Sequence, residues 1–406
     1  MERDLESSTG AETRRDRVVL ATVVFAILFS QVLLYPGIDT LVDALGAETA
    51  LDASMWFLAA EFLAFVTFAG VWGAASDAVG RRRPFVVLGA LSGALGYAVL
   101  ATVPQIASIS FLAVLGLRVL QGAATIGALS LAMTMLMDLA RGHGRNMGAA
   151  GIAIGLGTAV GSPVGGQLYE VGPFVPLYVA SALLFLVGVF AGFLDDRAAA
   201  PGSDRVSRAV ATLRRRPALA VPYAFGFIDR LTAGFFALVG TLYFRTVFGL
   251  DPGATGLMLA LFFAPFALFQ YPFGVLSDRV GRTLPVVGGS AAYGIGIVAV
   301  GHAPGPQWAG VALFSVGVLG ALMAPATMAL VTDVAGSAER GVAMAGINVF
   351  GSLGFLAGIL AGGAIAAERG YQAAFFAVGG IEVVVALVTI PFFVRWRRRA
   401  IEGVPG

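Results

Sequence analysis

Apolar residues in this chain gather into twelve successive runs. Each holds about twenty residues, the length at which an α-helix rising ~1.5 Å per residue spans the ~30 Å hydrocarbon layer of a bilayer. The runs fall at roughly 18–40, 52–75, 84–104, 107–138, 147–168, 173–194, 218–247, 253–276, 285–304, 308–334, 342–364 and 371–394. Several exceed the minimum, which predicts tilt or extension beyond the membrane. The 406 residues are 58% hydrophobic and 12% charged, too much apolar surface for one soluble core, so most of it is expected to face lipid. The run from Val18 to Tyr35 outlasts a signal-peptide core and no small-residue cleavage site follows, so it reads as a retained first helix.

Basic residues give an independent reading of topology. There is no lysine, and with the N-terminus inside, 22 of the 26 arginines lie in cytoplasmic segments. Arg245 and Arg369 fall outside, and Arg118 and Arg230 lie within apolar runs. This positive-inside bias predicts a multi-pass protein of the cell's inner (plasma) membrane with both termini cytoplasmic. Residues 1–17 read as a disordered tail and 395–406 as a second tail, flanking bundles at 18–194 and 218–394. Between the bundles, residues 195–217 read as a linker. In it Val206, Ala209, Val210 and Leu213 alternate with Arg205, Arg208 and Arg214 at helical spacing, predicting an amphipathic helix on an anionic leaflet.

The stretch Gly73-Ala-Ala-Ser-Asp77-Ala-Val-Gly80-Arg81-Arg-Arg-Pro84 joins the second and third runs. It recurs 201 residues later as Gly274-Val-Leu-Ser-Asp278-Arg-Val-Gly281-Arg282-Thr-Leu-Pro285. A spacing of Gly, Asp and Gly-Arg repeated at one offset indicates two homologous halves. Both copies resemble the signature loop of the major facilitator superfamily. That resemblance implies an all-α membrane protein with twelve transmembrane helices in two pseudo-symmetric six-helix bundles. It also implies that the loop aspartate pairs with the opposite half in one conformation, and that the loop arginine pairs with an acid ending the fourth helix. Asp138 holds that position, with Asp333 its counterpart, so Gly73, Asp77, Gly80, Arg81, Asp138, Asp278, Gly281, Arg282 and Asp333 are expected to form a conformational latch.

A second motif, Arg118-Val-Leu-Gln121-Gly122, puts a cation ~16 Å deep if the helix starts near 107, where burial without a partner costs several kcal/mol. It resembles the fourth-helix motif of proton-coupled facilitators, which implicates Arg118 in proton transfer. Gly161, Pro163, Gly165 and Gly166 resemble the fifth-helix motif of drug antiporters, although Ser162 separates glycine from proline. Small residues at intervals of four also serve close helix packing. Glu61, Asp229 and Glu382 reach the same depth as Arg118. Three acids against Arg118 and Arg230 leave one unmatched, expected to be protonated part of the time. Family architecture sets helices one, four, seven and ten around the cavity, which favours Asp229 as proton carrier, Glu61 next, and Arg118 as the group that releases the proton. Glu61 is expected at the interface between halves, and Glu382, on peripheral helix twelve, as a structural partner.

Gln31, Tyr35, Gln121, Arg230, Phe235, Gln270 and Asn348 are the expected lining of the substrate cavity. So few polar groups do not suit a sugar, whose hydroxyls each need a partner when taken from water. The sequence therefore reads as a transporter exporting a lipophilic or cationic small molecule in exchange for protons. Proton symport or uniport of a small metabolite or organic acid is the alternative, and a non-transporting sensor on the same fold is a third reading. Without lysine there is no nucleotide-binding loop of the Gly-x4-Gly-Lys kind, and no enzyme chemistry is indicated. No cysteine and two distant loop histidines, His143 and His302, indicate no metal site and no cofactor. The expected partners are substrate, protons and the lipid bilayer, with no nucleic acid, for a monomer.

Overall fold

The computed structural model describes residues 2–139, 143–196, 211–336 and 339–402, and every regular element among them is helical. Among the described residues, ten helices are long and apolar enough to cross a membrane. Val175–Ala191 is a shorter apolar helix, and the first apolar run continues a helix that begins at Glu2, so each expected span finds its helix.

One compact unit comprises residues 1–203 with 251–260. It holds α1 (Glu2–Val32), α2 (Ile38–Ala44), α3 (Ala50–Val79), α4 (Arg83–Ile106), α5 (Phe111–Asp138), α6 (His143–Val171) and α7 (Val175–Ala191). The expected disordered tail is corrected here: α1 is already helical at Glu2, its backbone ladder running on into the apolar segment. Side chains anchor its polar part, with Arg15 bonded to Asp195 at 2.9 Å and Arg17 Nε donating to Asn146 at 2.6 Å. Helix α6 packs along α1 because its glycines bring the backbones together. A Cβ on Gly161 would lie 3.1 Å from the Phe29 carbonyl oxygen, and one on Gly165 only 2.7 Å from the Leu33 Cα. A Cβ on Gly166 would lie 3.0 Å from the Gly253 Cα. Pro163 sits inside α6, which continues on both sides of it. This motif therefore works here as a packing surface.

The second unit comprises residues 204–250 and 261–406. It holds α8 (Ala220–Phe235), a π-helical turn at Phe236–Gly240, α9 (Thr241–Thr246), α11 (Gly289–Gly301), α12 (Pro306–Ala335), α13 (Arg340–Arg369) and α14 (Tyr371–Glu402). The helix between α9 and α11, α10 (Pro252–Val280), starts in the first unit and ends in the second. The π turn sits mid-span, where Thr241 Oγ1 donates to the Phe236 carbonyl five residues back at 3.1 Å and supports the wider ring. The pairings α1 on α6, α4 on α5 and α4 on α7 recur as α8 on α13, α11 on α12 and α11 on α14. Glycines serve the second set as well: a Cβ on Gly354 would meet the Phe227 Cα of α8 at 3.1 Å. Of the expected linker helix, Val206, Ala209, Val210, Arg205 and Arg208 lie outside the described residues, and residues 211–215 are helical.

Candidate functional site

In the first unit, α3 and α5 bring Glu61 and Arg118 together at 2.6 Å, with 1% and 0% of their side chains exposed. Gly122 makes this possible, since a Cβ there would come within 3.0 Å of the Glu61 backbone. The Arg-x-x-Gln-Gly spacing thus has a local cause: the glycine admits α3, and one turn earlier the arginine meets the carboxylate that α3 carries. Arg118 Nη1 donates to Gln121 Oε1 at 2.5 Å, and Gln121 is steadied by Thr125 at 3.3 Å. Glu61 accepts from Gln31 Nε2 at 3.3 Å and from the Tyr97 hydroxyl at 3.5 Å. The guanidinium lies 4.7 Å from the Phe57 ring centre and 5.5 Å from that of Tyr97, two cation–π faces. Arg118 Nε, buried, has no hydrogen-bond partner among the described residues.

Three expectations change here. Helix α5 starts at Phe111, with Ser110 accepting from the Ala113 N–H, so Arg118 is ~10 Å along it rather than ~16 Å. Glu61, expected at the interface between halves, is buried within the first unit. Gln31, Tyr35 and Gln121, expected as cavity lining, are all buried, Gln31 and Gln121 in the hydrogen-bonded shell of this ion pair.

In the second unit Glu382 of α14 is fully buried and has no ion pair among the described residues. Its carboxyl oxygens meet the hydroxyls of Ser290 on α11 at 2.7 Å and Thr232 on α8 at 3.2 Å. The Tyr293 hydroxyl, one turn beyond Ser290, is buried without a hydrogen-bond partner. Asp229 and Arg230 on α8 are half-buried and form no ion pair within 4 Å among the described residues. The surplus of acid over arginine therefore belongs to this unit. Phe235, expected to line the cavity, is instead core: it is 0% exposed, edge-on to Phe236 and Phe375, because its aromatic surface fills the space over Gly362. Gln270 is half-buried and Asn348 exposed.

The repeated loops close differently. Gly80 and Gly281 both take left-handed φ, +72° and +84°, where a side chain would be strained. In the second loop Arg282 meets Asp278 at 2.6 Å and Asp333 at 3.2 Å, as the resemblance implies. In the first loop the partner of Asp138 is Arg82, not Arg81; Arg82 also reaches Asp77 at 3.8 Å. Arg81 is 72% exposed and, among the described residues, its ion-pair partner is Asp196 at 4.0 Å. The Gly80 N–H bonds three residues back to Asp77 whereas the Gly281 N–H bonds four back to Ser277, so the two turns are wound differently ahead of their arginines. Sequence reasoning missed Asp196, whose carboxylate accepts from the backbone N–H groups of Arg82 and Arg83 at 3.1 and 3.2 Å and caps α4. Its distance along the chain left no local signal.

The Major Facilitator Superfamily model matches residues 20–244 and 223–405. An inner membrane transport protein, YajR, of Escherichia coli is 32% identical over 141 residues, 34% of this chain and 30% of that protein. A quinolone resistance transporter of Acinetobacter baumannii is 31% identical over 185 residues, 44% of this chain and 42% of that protein. The chain thus aligns with less than half the length of these relatives. Among solved structures, the nucleoside transporter NupG superposes with a TM-score of 0.75 over 93% of this chain and 100% of its own, at 15% identity, a likeness of fold alone. With the family model matched along almost its whole length and an all-helical fold among the described residues, the chain belongs to the Major Facilitator Superfamily of transporters.

Proposed function

We propose that this transporter couples the inward movement of protons to the export of a lipophilic or cationic small molecule by alternating access. The observation that carries the reading is the uneven distribution of buried charge. Glu61 is matched by Arg118 in the first unit, while in the second Asp229 and Glu382 stand with Arg230 and, among the described residues, neither forms an ion pair. A carboxyl group without a counter-ion inside a membrane bundle is suited to take up and give up a proton as its surroundings change. Asp229 is the assigned carrier, because it is the less buried of the two acids and Arg230 adjoins it in the chain. Arg82, Asp77 and Asp138, with Arg282, Asp278 and Asp333, act as latches that favour one conformation. The export reading draws support from the likeness to the quinolone resistance transporter. The test is reconstituted protein under an imposed pH gradient with ethidium as probe. Wild type moves ethidium in response to the gradient; Asp229→Asn loses that response and retains ethidium exchange, since the amide mimics the protonated acid. Full pH-driven transport by Asp229→Asn would remove it as carrier.

A second reading, transport of a small organic acid, is favoured by Arg230, a half-buried guanidinium with no hydrogen bond or ion pair among the described residues. It is suited to hold a carboxylate bidentately. Benzoate uptake that Arg230→Gln abolishes, with no ethidium movement in wild type, decides for this reading.

A further inference from the structure

Helix α4 begins on a residue that cannot cap it. Arg82 stands at its N-terminal boundary with no acceptor to offer the first backbone N–H groups, and Pro84 in the first turn has no N–H at all. The acceptor comes from Asp196, beyond the end of α7 and 114 residues along the chain. Its Oδ1 accepts from the N–H groups of Arg82 and Arg83 at 3.1 and 3.2 Å, where a negative charge also suits the positive end of the helix. Its Oδ2 lies 4.0 Å from Arg81 Nε. One carboxylate thus holds the backbone of Arg82 with one oxygen and the side chain of Arg81 with the other. Arg83 Nη1 donates to the Leu194 carbonyl at 3.1 Å and ties the same segment to the loop again. Arg82 is the arginine left facing inward: it is 6% exposed and meets both Asp138 and Asp77. The second half is built otherwise. At the offset that relates the two loops, Arg397 stands where the first half has Asp196, and the arginine that meets Asp333 is Arg282, the equivalent of Arg81. The helix after that loop opens in a π turn, with no hydrogen bond from the Thr283 side chain to cap it.

We propose that Asp196 is a positioning residue for the first latch: by holding the N–H groups that open α4 and the guanidinium of Arg81, it keeps Arg82 as the arginine that engages Asp138. The winding ahead of Gly80 and the carboxylate behind it constrain one turn from both sides. Asp196 is itself placed by a closed circuit of bonds at this end of the first unit. Neighbouring Asp195 accepts from Arg15 of α1 at 2.9 Å, Arg17 donates to Asn146 of α6 at 2.6 Å, and Asn146 Nδ2 donates at 3.1 Å to the carbonyl of Leu139, next to Asp138. Helix α1 therefore bridges the segment that carries Asp196 to the end of α5 that carries Asp138, and both partners of the loop are fixed relative to each other. For its effect on transport the proposal rests on the latch reading of Arg82; for its geometry it does not.

The chain has no cysteine, so a single introduced cysteine reports side-chain exposure directly. In the full-length protein in detergent, Arg81→Cys should react quickly with a maleimide and Arg82→Cys slowly. Adding Asp196→Ala should speed the labelling of Arg82→Cys about tenfold, the population change that follows loss of a helix cap. Adding Asp196→Asn, whose amide oxygen still accepts from both N–H groups, should leave it slow. Transport gives the second readout: Arg81→Ala, close to wild type by itself, should slow ethidium movement several-fold in the Asp196→Ala background, and Arg82→Ala should cost less there than in wild type. Labelling of Arg82→Cys at one rate with and without Asp196→Ala overturns the proposal. Faster labelling with Arg81→Ala still harmless overturns it as well, since Asp196 is then a helix cap and nothing more. If ethidium does not move in wild type, or Arg82→Ala leaves its movement unchanged, the export or the latch reading fails, and the labelling alone decides whether Asp196 places the arginine. Should Asp196→Ala not fold, Asp196→Ser, too short to reach both N–H groups, supplies the same comparison.

Discussion

Arg118 and Glu61 show how one residue pair commits its surroundings. An ion pair this deep gives little net stability, because desolvation of both charges offsets their attraction, but breaking it leaves a bare charge in a dry site. Arg118→Ala is expected to cost about 3–5 kcal/mol, read as a lowered thermal unfolding temperature in detergent. Replacing both partners, Glu61→Leu with Arg118→Met, should recover most of that stability and still abolish transport. If the double variant transports normally, the pair is structural. The arrangement around the pair was partly legible: Arg118-x-x-Gln121-Gly122 marked one side of it. Its partner was not, because Glu61 lies 57 residues away and nothing local distinguishes it from Asp229 or Glu382.

At the scale of elements, the loops turn motif into geometry. The repeat of Gly80 and Gly281 fixes where each helix ends, and the backbone winding just before each glycine decides which arginine turns inward. Arg82→Ala should therefore slow ethidium transport several-fold with little change in ethidium affinity, since a latch sets conformational populations and not the binding chemistry. Arg81→Ala should stay close to wild type, because an exposed ion pair contributes only about 0–1 kcal/mol. Equal loss in both variants would return Arg81 to the latch. Helix contacts built on glycine make a sharper demand. Gly165→Leu would push side-chain atoms into the Leu33 backbone, and the expected result is separation of α6 from α1 with loss of folded protein in size-exclusion profiles.

For the whole molecule, the distribution of 26 arginines and the absence of cysteine combine into a direct test of orientation. Single cysteines introduced as Glu48→Cys and His302→Cys should react with an impermeant maleimide on intact cells, and Arg395→Cys only after the cells are opened. The reverse pattern would invert the topology.

Twelve apolar runs and a loop repeated at one offset determined the class of fold by themselves, because hydrophobic length and the demand for glycine in a left-handed turn are local properties that a sequence displays directly. The buried acids and arginines were visible as a list for the same reason. Which of them meet was decided by tertiary structure. Glu61 rather than Asp229 faces Arg118 because Gly122 lets α3 approach α5, and Glu382 is enclosed by Ser290 and Thr232 because three helices distant in sequence converge there. Phe235 and Arg81 were misread for one physical reason: the direction a side chain faces depends on the neighbour its helix or turn packs against, and that neighbour is not written in the surrounding residues.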